Sequence, residues 1–300
     1  MMRRGVPQGE ALAVWGLLVA DVLAILVVYS VVDPSELYAV TKSGLEGGLG
    51  RALVQLNIPS VAGTAVALVL LASDSLPRRA WLVGGPAIAL CAVIVWPGVV
   101  EPSHLDAKPV NAIPAVGVVL AFALTVAAAR TAGTGFAPRR AGDPARVVVG
   151  TIAVLVALPW IAAELGFHFP QGVFLTTKLY AEPHKPPTAA VHLGHHHGMM
   201  GTLMVLSALA LSRPRLGSPR LQRIYAFLVS LMLVYGATNV VNDFWHEQVV
   251  KRGWSSSDVP SALVPGANPI WAIMLGAAVV LYVAGFARRD SATSNGDNHG

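Results

Sequence analysis

Long apolar runs, separated by short polar interruptions, dominate the chain. Eight of them cover residues 11–32, 52–73, 80–100, 111–130, 146–167, 196–212, 222–242 and 269–287. A helix crosses the hydrocarbon core of a bilayer with about 20 such residues, and most of the runs approach that length. They lack the strict polar/apolar alternation that marks a membrane strand. The pattern predicts an all-α, polytopic integral membrane protein with eight transmembrane helices in four hairpins. Residues 1–287 make a single transmembrane domain. Residues 288–300, rich in Ser, Asn and Gly, read as a disordered tail.

Composition supports this. Of 300 residues, 54% are hydrophobic and 12% charged, about half the charged share of a soluble domain. With the N-terminus inside, 14 of the 21 Lys and Arg residues fall in the inner segments and 7 in the outer ones. That asymmetry is the positive-inside pattern. It predicts both ends in the cytoplasm and a multi-pass protein of the cell membrane. The net charge of +5 therefore reads as topology. No basic patch is interleaved with aromatic residues, so nucleic acid is not an expected partner; the lipid bilayer is. Arg3 and Arg4 precede an apolar stretch as in a signal peptide. That stretch is long, contains Asp21 and lacks an A-x-A site, which reads as a retained helix. Cys91 is the only cysteine, so no internal disulfide can form.

The candidate chemistry gathers on the outer side. Eight of nine histidines belong there: His104, His168, His184, His192, His195, His196, His197 and His246. Glu101, Glu164, Asp243 and Glu247 accompany them. The densest stretch runs from His192 to Met200, reading HLGHHHGMM. Were it helical, His192, His195, His196 and Met199 would share one face. Glu164 and His168 lie about one turn apart. Asp243, His246 and Glu247 follow the i, i+3, i+4 spacing. Neutral imidazole suits Zn, Cu, Fe and Ni, and carboxylate oxygens add to such a set.

These spacings predict a transition-metal site for Zn, Cu or Fe. His192, His195, His196 and His246 are the expected ligands. Asp243, Glu164 and His168 are further ligands or groups that orient them. Glu247 is the expected general base, activating water at the metal. The expected use is chemistry on a lipid or another lipophilic small molecule entering from the bilayer. Asp21, near the middle of the first run, belongs to a polar network with Asn57, Ser60 or Thr64, or relays protons. Three other uses fit the same residues. One is transport or insertion of copper or zinc through Asp21, Asn57 and Asn239. Another is haem held by two histidines such as His168 and His246. The third is a membrane subunit without catalysis. A Gly-rich phosphate loop, a G-x-S-x-G elbow, an H-E-x-x-H pair and a TVGYG filter are all missing from the sequence.

His192-x-x-His195-His196 resembles one histidine box of the membrane fatty-acid desaturases and hydroxylases. That family holds two irons with several such boxes on the cytoplasmic side. Here one box is present and the charge pattern puts it outside, so the resemblance covers five residues and the family is not adopted.

Overall fold

The computed structural model describes residues 5–96, 98–99, 105–167, 179–180, 188–189, 191–257, 259, 261–263 and 268–287. Nine α-helices order these residues: α1 Gly9–Val31, α2 Gly44–Gln55, α3 Pro59–Ser75, α4 Trp81–Ala92, α5 Ala112–Ala132, α6 Asp143–Glu164, α7 His197–Leu211, α8 Pro219–Asp243 and α9 Pro269–Tyr282. α8 runs on as a π-helix through Phe244–Val250. Among the described residues, the strand pairing consists of a two-residue antiparallel pair, β1 Leu179–Tyr180 with β2 Thr188–Ala189, and one bridge between Leu37 and Leu193.

Five helical stretches are long and apolar enough to cross a bilayer: Gly9–Val31, Arg78–Val95, Pro109–Ala132, Asp143–Glu164 and Pro219–Val250. α2 and α3 together add a sixth, bent by 55°. α7 and α9 are apolar but shorter. The membrane-helix character expected from the sequence is thus present, with five to six spans by length where eight were expected.

The largest departure lies in the run at 52–73. Pro59 opens α3, and its ring drives the preceding residue out of the helical region. Ile58 accordingly sits at φ −75°, ψ 142°. Asn57 pins the break by donating to the carbonyls of Leu53 at 2.7 Å and Asn111 at 2.9 Å. The segment before it, mostly outside the apolar runs and rich in Gly, is α2. Gly48 lets α2 approach α1 closely: a Cβ there would overlap the Leu26 carbonyl oxygen and the Ser30 hydroxyl of α1.

The helices run antiparallel, so alternate ends meet. At one end the Gln8 amide donates to the Gly133 carbonyl after α5 at 3.0 Å. There Arg213, just past α7, pairs with Glu10 at 2.8 Å and Asp143 at 3.3 Å. Asp74 at the end of α3 accepts the Gly217 amide before α8 at 2.9 Å. The middle of the bundle is apolar, with Leu18, Leu68, Leu71 and Leu211 wholly buried. α7 and α8 cross where two glycines face each other; a Cβ at Gly201 would lie 2.6 Å from the Gly236 oxygen. Small residues of this kind let helix backbones approach closely where no water drives association. Outside, Leu23, Val119, Ile152 and Val280 are exposed, as suits a surface facing lipid. At the other end of the bundle the polar residues turn inward.

Candidate metal centre

The centre lies where α6 ends, α7 begins and α8 loosens into its π-helix. Gly194, at φ +104°, takes a left-handed conformation that a side chain disfavours. It follows Leu193, which bridges Leu37. Residues 191–196 are not helical, and α7 starts only at His197. The shared helical face expected for His192, His195, His196 and Met199 therefore does not form.

His196 is the N-cap residue of α7, with extended backbone at φ −133°, ψ 135°. It is 2% exposed. Its Nε2 lies 2.9 Å from the His192 carbonyl oxygen. A carbonyl only accepts, so Nε2 carries the proton and donates. Its Nδ1 then faces Glu247 Oε2 at 3.3 Å and makes no hydrogen bond of ordinary geometry. Glu247 Oε2 also accepts the Trp160 indole N–H at 2.6 Å. Asp243 Oδ2 accepts a short bond from the Gly198 amide. That amide belongs to the first turn of α7, where the helix dipole favours a carboxylate. A Cβ at Gly198 would overlap the Trp160 ring, so only glycine lets the tryptophan lie over this turn. Ala157, Ala163, Val191 and Val240 pack around it.

His196, Asp243 and Glu247 thus place three ligand atoms within 4.8 Å of one another. Burial pushes His196 down; the Glu247 carboxylate 3.3 Å away, the bond to the His192 carbonyl and Asp243 outweigh that and raise it to about 9.

A second group adjoins this one. Arg51 of α2 is 1% exposed. Its Nη2 lies 3.8 Å from Glu164 Oε1 and donates to His195 Nδ1 at 3.1 Å, since a guanidinium has no acceptor. The guanidinium sits over the Tyr29 ring, 5.3 Å from its centre. Burial, and then Arg51 and the neighbouring histidines, hold His195 well below its ordinary value. Gln55, one turn on from Arg51, donates to Asp21 at 2.6 Å and to the Met200 sulfur at 3.1 Å. Buried Glu164 and Asp21 therefore face the Arg51 guanidinium, while buried Asp243 and half-buried Glu247 face His196.

Several expected positions differ. His246 stands apart from the three clustered residues. The π-helix bonds i to i+5, as from the Lys251 amide to the His246 carbonyl at 3.0 Å, and its wider turn carries position i+3 away from i. Asp243 and Glu247 stay together, and His246 instead lines an apolar groove between α8 and α9. His195 is engaged by Arg51. His192 stacks between Tyr38, 4.6 Å away, and His196, 4.5 Å away. Glu164 faces Arg51. Asp21 meets Gln55, not Asn57, Ser60 or Thr64. Asn239 donates back to the Tyr235 carbonyl at 2.7 Å within its own helix. His168, with Glu101, His104 and His184, lies outside the described residues. Trp160, Gly198 and Arg51 carry much of the geometry and were not expected as site residues. Arg51 and Gln55 at i, i+4 were the signal that 44–55 is a helix with a polar face.

No protein-family model, no curated protein and no solved structure is significantly similar to the chain.

Proposed function

We propose that the protein is an integral membrane metalloprotein whose ion is held by His196, Asp243 and Glu247 on the extracytoplasmic side. The observation that carries this reading is the orientation of His196. Ring nitrogens that bind metals usually have their partner N–H donated to a carbonyl or carboxylate, which fixes the tautomer. His196 does this to the His192 carbonyl and aims an unprotonated or cationic Nδ1 at buried Asp243 and half-buried Glu247. Two ligands of one tetrahedral ion at about 2.1 Å sit about 3.4 Å apart, close to the 3.3 Å between Nδ1 and Glu247 Oε2. The charge balance supports it as well. Uncompensated buried charge costs several kcal/mol per ion, and a dication offsets the excess of carboxylates.

The donors are one nitrogen and two oxygens, which suit Zn or Fe better than Cu(I). Met200, whose sulfur is of the soft kind that suits copper, already receives the Gln55 and Ser60 side chains at 3.1 and 3.6 Å. The orientation is the positive-inside one: Arg78, Arg140, Arg213 and Arg220 mark the cytoplasmic end and the His196 centre lies opposite. A transport path is disfavoured. Between Asp21 and the arginine-rich end the bundle is filled by Leu18, Leu68, Leu71 and Leu211.

The likeness to an enzyme rests on the groove beside the centre. About 610 Å3 in volume, it is lined by Val234, Val241 and Ile270, with His246 as a polar group in the same turn as Glu247. It fits the chain of a lipophilic substrate whose reacting end reaches the centre. Glu247 serves as a ligand or as the base toward a water there, and one variant separates the two.

Metal analysis by plasma mass spectrometry of detergent-purified protein tests the reading. One equivalent of Zn or Fe is expected, lost in His196→Ala and Asp243→Asn and kept in His246→Ala. Metal retained in Glu247→Gln assigns the base role; metal lost assigns the ligand role. No bound metal after reconstitution, or equal binding by His196→Ala, overturns the proposal.

A further inference from the structure

Opposite the metal centre, a cavity of about 880 Å3 opens between α6 and α7. Arg139, Arg140, Arg146 and Arg213 stand at its mouth. Two acids answer them. Asp143 takes Arg146 at 3.1 Å and Arg213 at 3.3 Å, and Glu10 takes Arg213 at 2.8 Å. The balance at the mouth stays positive. The Arg213 Nε is buried without a hydrogen-bond partner, and Arg139 is exposed. Away from the mouth the lining changes character. Val147, Val154, Leu206 and Leu209 form an apolar trough, and Gly150 leaves its floor low where α6 rests on Leu206. Val147 and Leu155 on its flank are 67% and 60% exposed.

One molecule matches both halves. We propose that this groove binds an anionic phospholipid of the inner leaflet, its phosphate among the four arginines and an acyl chain along the trough. Guanidinium groups bind phosphate with two parallel N–H donors, and basic pockets between helices on the cytoplasmic side recognise lipid head groups. Val147 to Val154 is seven residues of helix, a rise of about 10 Å. That covers most of one leaflet's hydrocarbon depth of about 15 Å. The trough lies within the apolar outer belt of α6, so the chain stays in the bilayer while the head group reaches the arginines. A soluble phosphate would use only the mouth. The site is independent of the metal centre at the other end of the bundle.

Native mass spectrometry of the full-length protein in detergent, titrated with a phosphatidylglycerol and with the phosphatidylcholine of the same chains, tests the proposal. One phosphatidylglycerol is expected to bind at least tenfold more tightly than phosphatidylcholine. Arg139→Gln/Arg140→Gln removes two guanidiniums that carry no fold-holding side-chain bond among the described residues, and the preference is expected to fall at least fivefold. Thr151→Trp fills the trough from its exposed side without entering the core, and is expected to weaken binding of both lipids. The thermal midpoint of each variant, measured alongside, shows that it is folded. Equal binding of the two lipids overturns the proposal, as does unchanged phosphatidylglycerol binding by the arginine variant. Displacement by equimolar glycerol 3-phosphate also overturns it, because the trough would then contribute nothing.

Discussion

Arg51→Met removes the buried guanidinium that faces Glu164 and Asp21. At 3.8 Å from Glu164, and with an effective dielectric near 20, the pair interacts by about 4 kcal/mol. Removing one partner of a buried pair leaves the other charge uncompensated, at a measured cost of about 3–5 kcal/mol. The two figures agree, so the variant is expected to lose about 4 kcal/mol. That is close to three decades in the unfolding equilibrium, at 1.36 kcal/mol per decade. Arg51→Met/Glu164→Met removes both charges and keeps similar volume. It is expected to recover half or more of the loss, giving a coupling energy of about 2 kcal/mol or more between the two sites. The remainder reflects the lost contact with Tyr29 and the lost donor to His195. Reversible unfolding of the purified protein in mixed micelles, with increasing denaturing detergent, reads all four corners of the cycle. A single variant within about 0.5 kcal/mol of the parent, or a double variant as unstable as the sum of the singles, would refute the claim that Arg51 neutralises this cluster.

Three more outcomes follow from the centre. His196 is held at about 9, above its ordinary 6.5. In metal-free protein its ion pair is therefore fully stabilising below about pH 6.5 and is lost as pH rises through 9. Metal occupancy runs the other way, since Nδ1 must be deprotonated to bind. Calorimetry at pH 7.5 in buffers of different ionisation enthalpy should show about one proton released per metal bound, and no release would remove His196 from the ligand set. Gly198→Ala drives a Cβ into the Trp160 ring; overpacking of this kind costs about 1–3 kcal/mol, and the shift in Trp160 fluorescence should accompany weaker metal retention. Gly276→Ala, where a Cβ meets no atom within 4 Å, is the matched control and should leave both unchanged. His246→Ala should keep its metal yet bind a spin-labelled fatty acid in the α8/α9 groove at least threefold differently, and identical binding would detach that groove from the centre.

The helices were legible because hydropathy along the chain is a one-dimensional signal: ~20 apolar residues need only be counted. α2 escaped it. Its Gly-rich segment Gly44–Gln55 is too polar to read as a span, and its helical character shows only when Arg51 and Gln55 are seen as one polar face. The break before α3 was hidden for the opposite reason, since Asn57 and Pro59 sit inside an otherwise apolar run. Histidine and carboxylate at one depth were visible from spacing. Which of them converge was not, because convergence depends on backbone states that spacing arguments assume. The expected face of His192, His195 and His196 presumes a helix that Gly194 and the Leu37–Leu193 bridge prevent. The expected trio of Asp243, His246 and Glu247 presumes α-helical winding where the chain is π-helical.

That π-helix carries the connection between local structure and chemistry. π-helical turns are rare and concentrate at functional sites, and this one has a visible effect. With ordinary winding, His246 would sit nearer the face of Asp243 and Glu247, where an imidazole would compete with His196 for the space beside Trp160. The wider turn sends His246 toward the lipid-facing groove and keeps the two carboxylates together against the start of α7. One stretch of seven residues, Phe244–Val250, thereby divides its polar side chains between a buried anionic centre and an apolar groove beside it. A merely structural helix end gains nothing from that division, since it gathers a buried and a half-buried acid about one imidazole. An ion at the centre turns the same arrangement into a balanced one, and places a lipophilic groove within one helical turn of it.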